Sequence, residues 1–443
     1  MRRLGLGGLA CAGVLLLALA APQPRALRPP TLTAPRGELD GVGVVWKDTG
    51  ALLARVDAAT LQALPGPTID LGWVDSWAVA PDRNLVAVAS HSAPNVSLPD
   101  SIRFLDPDRM TEAGPSVALD VQAYALAWAS ADRIVALTGR CCSPGMWIVT
   151  IDAAARRGVA RTPLARFVVS EARGTSGFVL LTAPTNKIGP ATLVVADAHG
   201  VRSVRLTRIA AGNSWNRRGA VPIGKQRRPA LAVDTAGSHA YVLAQDNLVA
   251  DVDVDSLAVA YHRLSSPRSL LGRVDRWLEP PADAKALNGT ALGARWLGDG
   301  LIAVAGSVES ASIDRARKFH GTTRPWGLAL VDTRDWSTRT LDRGADRFAV
   351  ADGLLLVAGG TTRMDSGKSS GMGIVGYAAD MSVRFALFAG RRAWVTAVTP
   401  AYAFVGLDSD NQLRVVELAT GRVVGTRGGV LVTPLVAAWP LDR

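Results

Sequence analysis

The chain has 443 residues, 48% of them hydrophobic and 20% charged, a balance that excludes a disordered or fibrous polymer and supplies material for a large core. Its 44 glycines and 25 prolines imply many chain reversals, and the length fits two or three ordinary domains or one large all-β ring. Lys and Arg outnumber Asp and Glu by 49 to 38, a net charge of +11, which favours anionic partners.

Residues 1–20 carry Arg2 and Arg3, an apolar run, and a small-residue site at Ala18-Leu19-Ala20, the pattern of a cleaved signal peptide. An uncleaved anchor is the alternative, because Leu4 to Ala21 approaches the length of a membrane span. Cleavage at Cys11 as a lipoprotein is disfavoured, since the most apolar residues follow that cysteine. Residues 21–38 are Pro-rich and read as an extended tether. The expected location is therefore outside the cytoplasm: periplasmic, cell-surface or extracellular, with no membrane span after cleavage.

From residue 39 to residue 443 a repeat sets the fold. Short apolar strands ending in an acidic turn recur at Asp57, Asp106, Asp152, Asp197, Asp253, Asp332, Asp380 and Glu417. Nearly every one follows a second apolar strand, such as NLVAVAS (Asn84 to Ser90), GFVLLTA (Gly177 to Ala183) or GLLLVAG (Gly353 to Gly359). β-Branched content and Gly or Asp punctuation favour strands over helices. Units of this size hold four strands, so the spacing predicts an all-β, eight-bladed β-propeller, with seven blades as the alternative. The first repeat lacks an inner strand, and Val430 to Trp439 can supply one, so the C-terminal strand is expected to close the ring by pairing with the N-terminal blade.

Repeats such as LATGRVVGT (Leu418 to Thr426) and VDAATLQAL (Val56 to Leu64) resemble those of bacterial YVTN-type and quinoprotein-like propellers. That resemblance implies a secreted ring and specifies no ligand. Quinoprotein alcohol dehydrogenases also resemble this chain in combining eight blades with two adjacent cysteines, joined there as a disulfide against a quinone. The repeats here lack that family's Trp-docking consensus, and no calcium-ligating set can be matched to this sequence.

In a four-stranded blade, the connections between the second and third strands, and from one blade to the next, emerge on one face. Four long insertions fall there: Gly212 to Pro229, Ser265 to Pro281, Ser307 to Trp326 and Thr361 to Gly373. Long connections on a rigid ring are where binding is expected. The candidate binding residues are Arg217, Arg218, Arg227, Arg228, Arg315, Arg317, Lys318, Arg391 and Arg392, with Trp215, Trp277, Phe319 and Trp326 interleaved among them or in the same insertions. The expected partner is an anionic cell-envelope polymer or a protein. Export disfavours nucleic acid. Arg exceeds Lys throughout the chain, so a solvated basic face without a ligand is the plain alternative.

Cys141 and Cys142 are adjacent on the same face. In an exported chain they are expected to bond to each other, in a strained ring because their Cα atoms lie only about 3.8 Å apart. Two free thiols, intermolecular bridging or a metal remain the alternatives. The five histidines, His91, His199, His239, His262 and His320, show no metal-ligand spacing, and no phosphate-binding loop, nucleophile elbow or zinc motif is present. The expected function is a non-catalytic, monomeric binding module without a cofactor. The alternative is an enzyme that uses a metal such as calcium, or a quinone, in its central funnel.

Overall fold

The computed structural model describes residues 32, 41–47, 50–57, 60–91, 100–139, 145–174, 176–218, 221–265, 287–313, 319–408, 410–428 and 432–434. Residues 1–31 and 33–38, expected as signal peptide and tether, Cys141 and Cys142, and Arg315, Arg317 and Lys318 lie outside them. Every regular element among the described residues is a β-strand.

Three of the sheets are simple four-stranded meanders, formed by Gln122–Ser130 through Arg157–Leu164, by Ala230–Val233 through Val259–Arg263, and by Ala393–Val398 through Arg422–Gly428. Two larger sheets arise because single strands belong to two units at once. The 17-residue strand Ala63–Val79 pairs with Gly50–Val56 through its first half and with Val86–His91 through its second. Val432–Pro434 pairs antiparallel with Val42–Lys47 at Val44↔Thr433.

Apolar side chains from neighbouring units pack face to face. Ala87, Ile102 and Phe104 meet Leu126, Trp128 and Ile134, and Val179, Leu181 and Leu193 meet Leu231, Val242 and Val252. Val45, Ala54 and Val56 from the N-terminal strands pack with Phe404, Tyr402 and Val415 from the last meander. These strands are buried on both faces, which explains why their sequences read as continuous apolar runs.

The acidic turns are structural. Asp57, Asp106, Asp152, Asp253 and Asp332 each accept a backbone N–H within their own turn. Four residues on, the chain takes positive φ at Leu61, Met110, Arg156, Leu257 and Trp336, and at the equivalent place after Glu417 the residue is Gly421. A left-handed residue reverses the chain so that the next strand starts in register.

One expectation changes. Three of the insertions extend strands rather than forming loops, so that Leu301–Ile313 and Phe319–Asp332 continue as a long hairpin past the apolar layer, while the fourth, including Trp277, lies beyond Ser265 outside the described residues. Leu32, expected in the tether, is buried against Leu297, Leu301 and Val357, and the Gly353 N–H donates to its carbonyl at 2.8 Å.

Candidate anion-binding face

The strand extensions join sideways into one sheet above the apolar units. Gly200–Arg218 folds back onto Val221–Arg228, which pairs in parallel with Leu287–Gly298. Leu301–Ile313 and Phe319–Asp332 follow, and Thr322 and Thr323 then pair with Arg363 and Thr362 of Leu354–Arg363.

Register decides which side chains share a face, because residues opposite one another in a ladder point the same way. Arg227 aligns with Thr290, Thr290 with Val308, and Val308 with Arg324. One row along, Lys225 aligns through Asn288 with Ser310, and Ser310 aligns with Thr322 and Thr322 with Arg363. In the next row Ser312 stands opposite His320. One face therefore carries Lys225, Arg227, Arg324 and Arg363 among the hydroxyls of Ser310, Thr322 and Ser312. The four cations are exposed, and none has an ion-pair partner among the described residues. From Lys225 to Arg363 is four inter-strand steps, about 19 Å at roughly 4.8 Å each.

At one end of this face is a cleft of about 380 Å³ lined by Ser310, Ser312, His320, Thr322, Arg363 and Asp365. Asp365 meets His320 Nδ1 at 3.2 Å, and this hydrogen bond holds its carboxyl below the usual range. Asp365 is therefore ionised and adds one negative charge beside the four cations of this face.

The expected residues divide. Arg227 lies on the ladder face. Arg228 lies on the opposite one, where the Gln226 side-chain oxygen accepts from its guanidinium at 3.0 Å. Arg392 donates to Thr362 Oγ1 at 2.6 Å, also on the opposite face, and Arg391 donates to the Asp408 carbonyl at 3.1 Å. Arg217 and Arg218 end the strand Gly200–Arg218, but their side chains lie outside the described residues. Lys225, Arg324 and Arg363 are additions. Their signal is a period of two, visible as Lys225-x-Arg227, Ser310-x-Ser312 and His320-x-Thr322-x-Arg324, which is a strand pattern with a polar face.

The inner strands also hold ionisable groups. Burial pushes Glu171 up to about 7 against the opposing pull of Arg173, and burial lowers the Arg295 guanidinium. Arg173 donates to the Trp77 carbonyl at 3.1 Å. The described residues that could together hold a metal ion are Asp75, His91 and Asp100. No helix among the described residues is long and apolar enough to cross a membrane.

No protein-family model matches the chain, and no curated protein matches it. Among solved structures it is similar to the dihydro-heme d1 dehydrogenase NirN in complex with DHE, with a TM-score of 0.53, 14% identity, and coverage of 96% of this chain and 86% of that one. It is also similar to Sqt1 of Chaetomium thermophilum, bound to the N-terminus of the ribosomal protein L10, at a TM-score of 0.42, 13% identity, and coverage of 80% and 87%. BamB from Moraxella catarrhalis matches at a TM-score of 0.38 and 11% identity, over 89% of this chain and 93% of that one. The chain is thus an all-β protein of the β-propeller type.

Proposed function

We propose that the chain is an exported, non-catalytic, eight-bladed β-propeller that binds an extended anionic polymer of the cell envelope through its ladder face. Each blade is a four-stranded meander. The ring closes where Val432–Pro434 joins Val42–Lys47 as the inner strand of the first blade. Packing of Val45 and Val56 against Phe404 and Val415 supports that closure.

One observation carries the binding reading: Lys225, Arg227, Arg324 and Arg363 share one face of a sheet, with no carboxylate paired to them among the described residues. A stripe about 19 Å long fits several charges of a polymer better than one small anion. Interspersed hydroxyls suit the acceptor oxygens of phosphate or carboxylate groups. Strands hold the cations at fixed spacing, which reduces the ordering cost of binding.

The test is retention on an anionic matrix across a salt gradient. Replacing Arg227, Arg324 and Arg363 with Ser should bring elution to lower salt and reduce the slope of log affinity against log salt by about three. The control replaces Arg109, Arg157 and Arg422, which lie at the acidic-turn end of the strands, with Ser. Equal loss in the two triple variants would show that net charge, not this face, governs retention.

A further inference from the structure

Asp75 and His91 lie on paired strands, and Asp100 meets them from the position just before the next strand. The ladder between Ala63–Val79 and Val86–His91 runs Trp73↔His91, Val74↔Ser90, then Ser76↔Ala89, so Asp75 is the extra residue of a β-bulge. The same bulge recurs on other inner strands, where the skipped residues are Tyr124, Val169 and Thr396. It is thus a general feature of these units, and only here, among these four, does it hold a carboxylate. His91 ends the next strand and Asp100 precedes the one after that.

The neighbouring inner strand fixes the arrangement. The Ala123 N–H donates to Asp100 Oδ2 at 2.6 Å. The Leu126 N–H donates to Ser76 Oγ at 2.9 Å and locks the residue beside the bulge. These two bonds hold Asp100 and the backbone beside the bulge in place.

Among the described residues, several of its buried polar atoms have no hydrogen-bond partner. Asp100 is 2% exposed and its Oδ1 has no hydrogen-bond partner. The His91 side chain is 5% exposed and its Nδ1 has none, and Asp75 Oδ2 is likewise buried without one. His91 Nε2 stands 3.4 Å from Asp75 Oδ2, and one ligand atom from each residue lies within 4.8 Å of the others. Ligands about 2.1 Å from a tetrahedral ion lie about 3.4 Å apart, so a small contraction brings all three onto one ion.

We propose that Asp75, His91 and Asp100 bind one divalent first-row transition cation. Two carboxylates and one imidazole suit Zn²⁺ or Mn²⁺, whereas Ca²⁺ prefers an all-oxygen set. Three protein ligands leave a coordination position for water or for an anionic group.

The test uses the full chain, stripped with chelator, dialysed, and titrated separately with ZnCl₂, MnCl₂ and CaCl₂ in a calorimeter. One equivalent of Zn²⁺ or Mn²⁺ should bind, with Ca²⁺ weaker. Asp75→Asn and His91→Gln should each weaken binding by more than the about 10- to 100-fold typical of losing an outer-shell partner. Circular dichroism and metal-free melting of Asp75→Asn, whose side chain is the least buried of the three, check that folding persists. Absence of stoichiometric Zn²⁺ and Mn²⁺ binding to the wild-type chain overturns the proposal. So does one equivalent that both variants bind unchanged, which would place the metal elsewhere.

Discussion

Glu171 and Leu32 show how far a single side chain departs from what its sequence neighbourhood suggests. Burial holds the Glu171 carboxyl at about 7, above its value in the unfolded chain. Below the unfolded pKa both states are neutral and Glu171 costs nothing. As pH rises the unfolded state ionises first, so folding loses stability until the folded pKa is passed, by about 3 kcal/mol in total. Glu171→Gln should therefore raise the melting temperature at pH 8 and leave it nearly unchanged at pH 4. An equal shift at both pH values would show that ionisation is not the cause. Leu32 lies in a Pro-rich stretch whose composition suggests solvent on all sides, yet it is buried between Leu297, Leu301 and Val357. Leu32→Ala should cost about 3 kcal/mol in a denaturant titration; a change below about 0.5 kcal/mol would return this residue to a tether. Neither feature is legible in the sequence, because both depend on strands that lie far away along the chain.

At the scale of elements, what was legible and what was not divides by hydrophobicity. The strand pairs that end in acidic turns were readable because residues such as Val86 to Ala89 and Leu354 to Ala358 are buried on both faces and so spell unbroken apolar runs. The turns were readable because an Asp side chain must bind the backbone N–H groups of its own reversal. The strand extensions were not. Ser307 to Ser312 reads SVESAS, a weakly apolar stretch that resembles a loop until a neighbouring extension supplies its ladder partners. Asp75 was hidden for a related reason, since a bulge is a feature of pairing and leaves no local motif. The terminal strand gives an element-scale test of closure. Removing the residues after Gly428 deletes Val432–Pro434, and the pairing at Val44 with it. Thermal unfolding of that truncation should shift downward by several degrees, and an unchanged transition would mean that the last strand contributes nothing to the ring.

Taken whole, the molecule has two ends with different roles. One end holds the acidic turns, whose carboxylates are committed to the backbone. The other holds the extension sheet, whose ladder-face cations Lys225, Arg227, Arg324 and Arg363 have no ion-pair partner among the described residues, together with the Asp75, His91 and Asp100 group. The net charge of +11 thus matters less than its placement. The parallel pairing of Gly224 to Arg228 with Leu287 to Ala291 has a consequence for how such rings change size. These two segments lie side by side, run in the same direction and lead into adjacent inner strands. The complete meander from Ala230 to Arg263 lies in sequence between these two neighbouring segments. That meander has the geometry of a cassette: a duplication or deletion spanning it would add or remove one whole unit while keeping the strand direction on either side of the join, so the number of units can change while the flanking strands stay as they are.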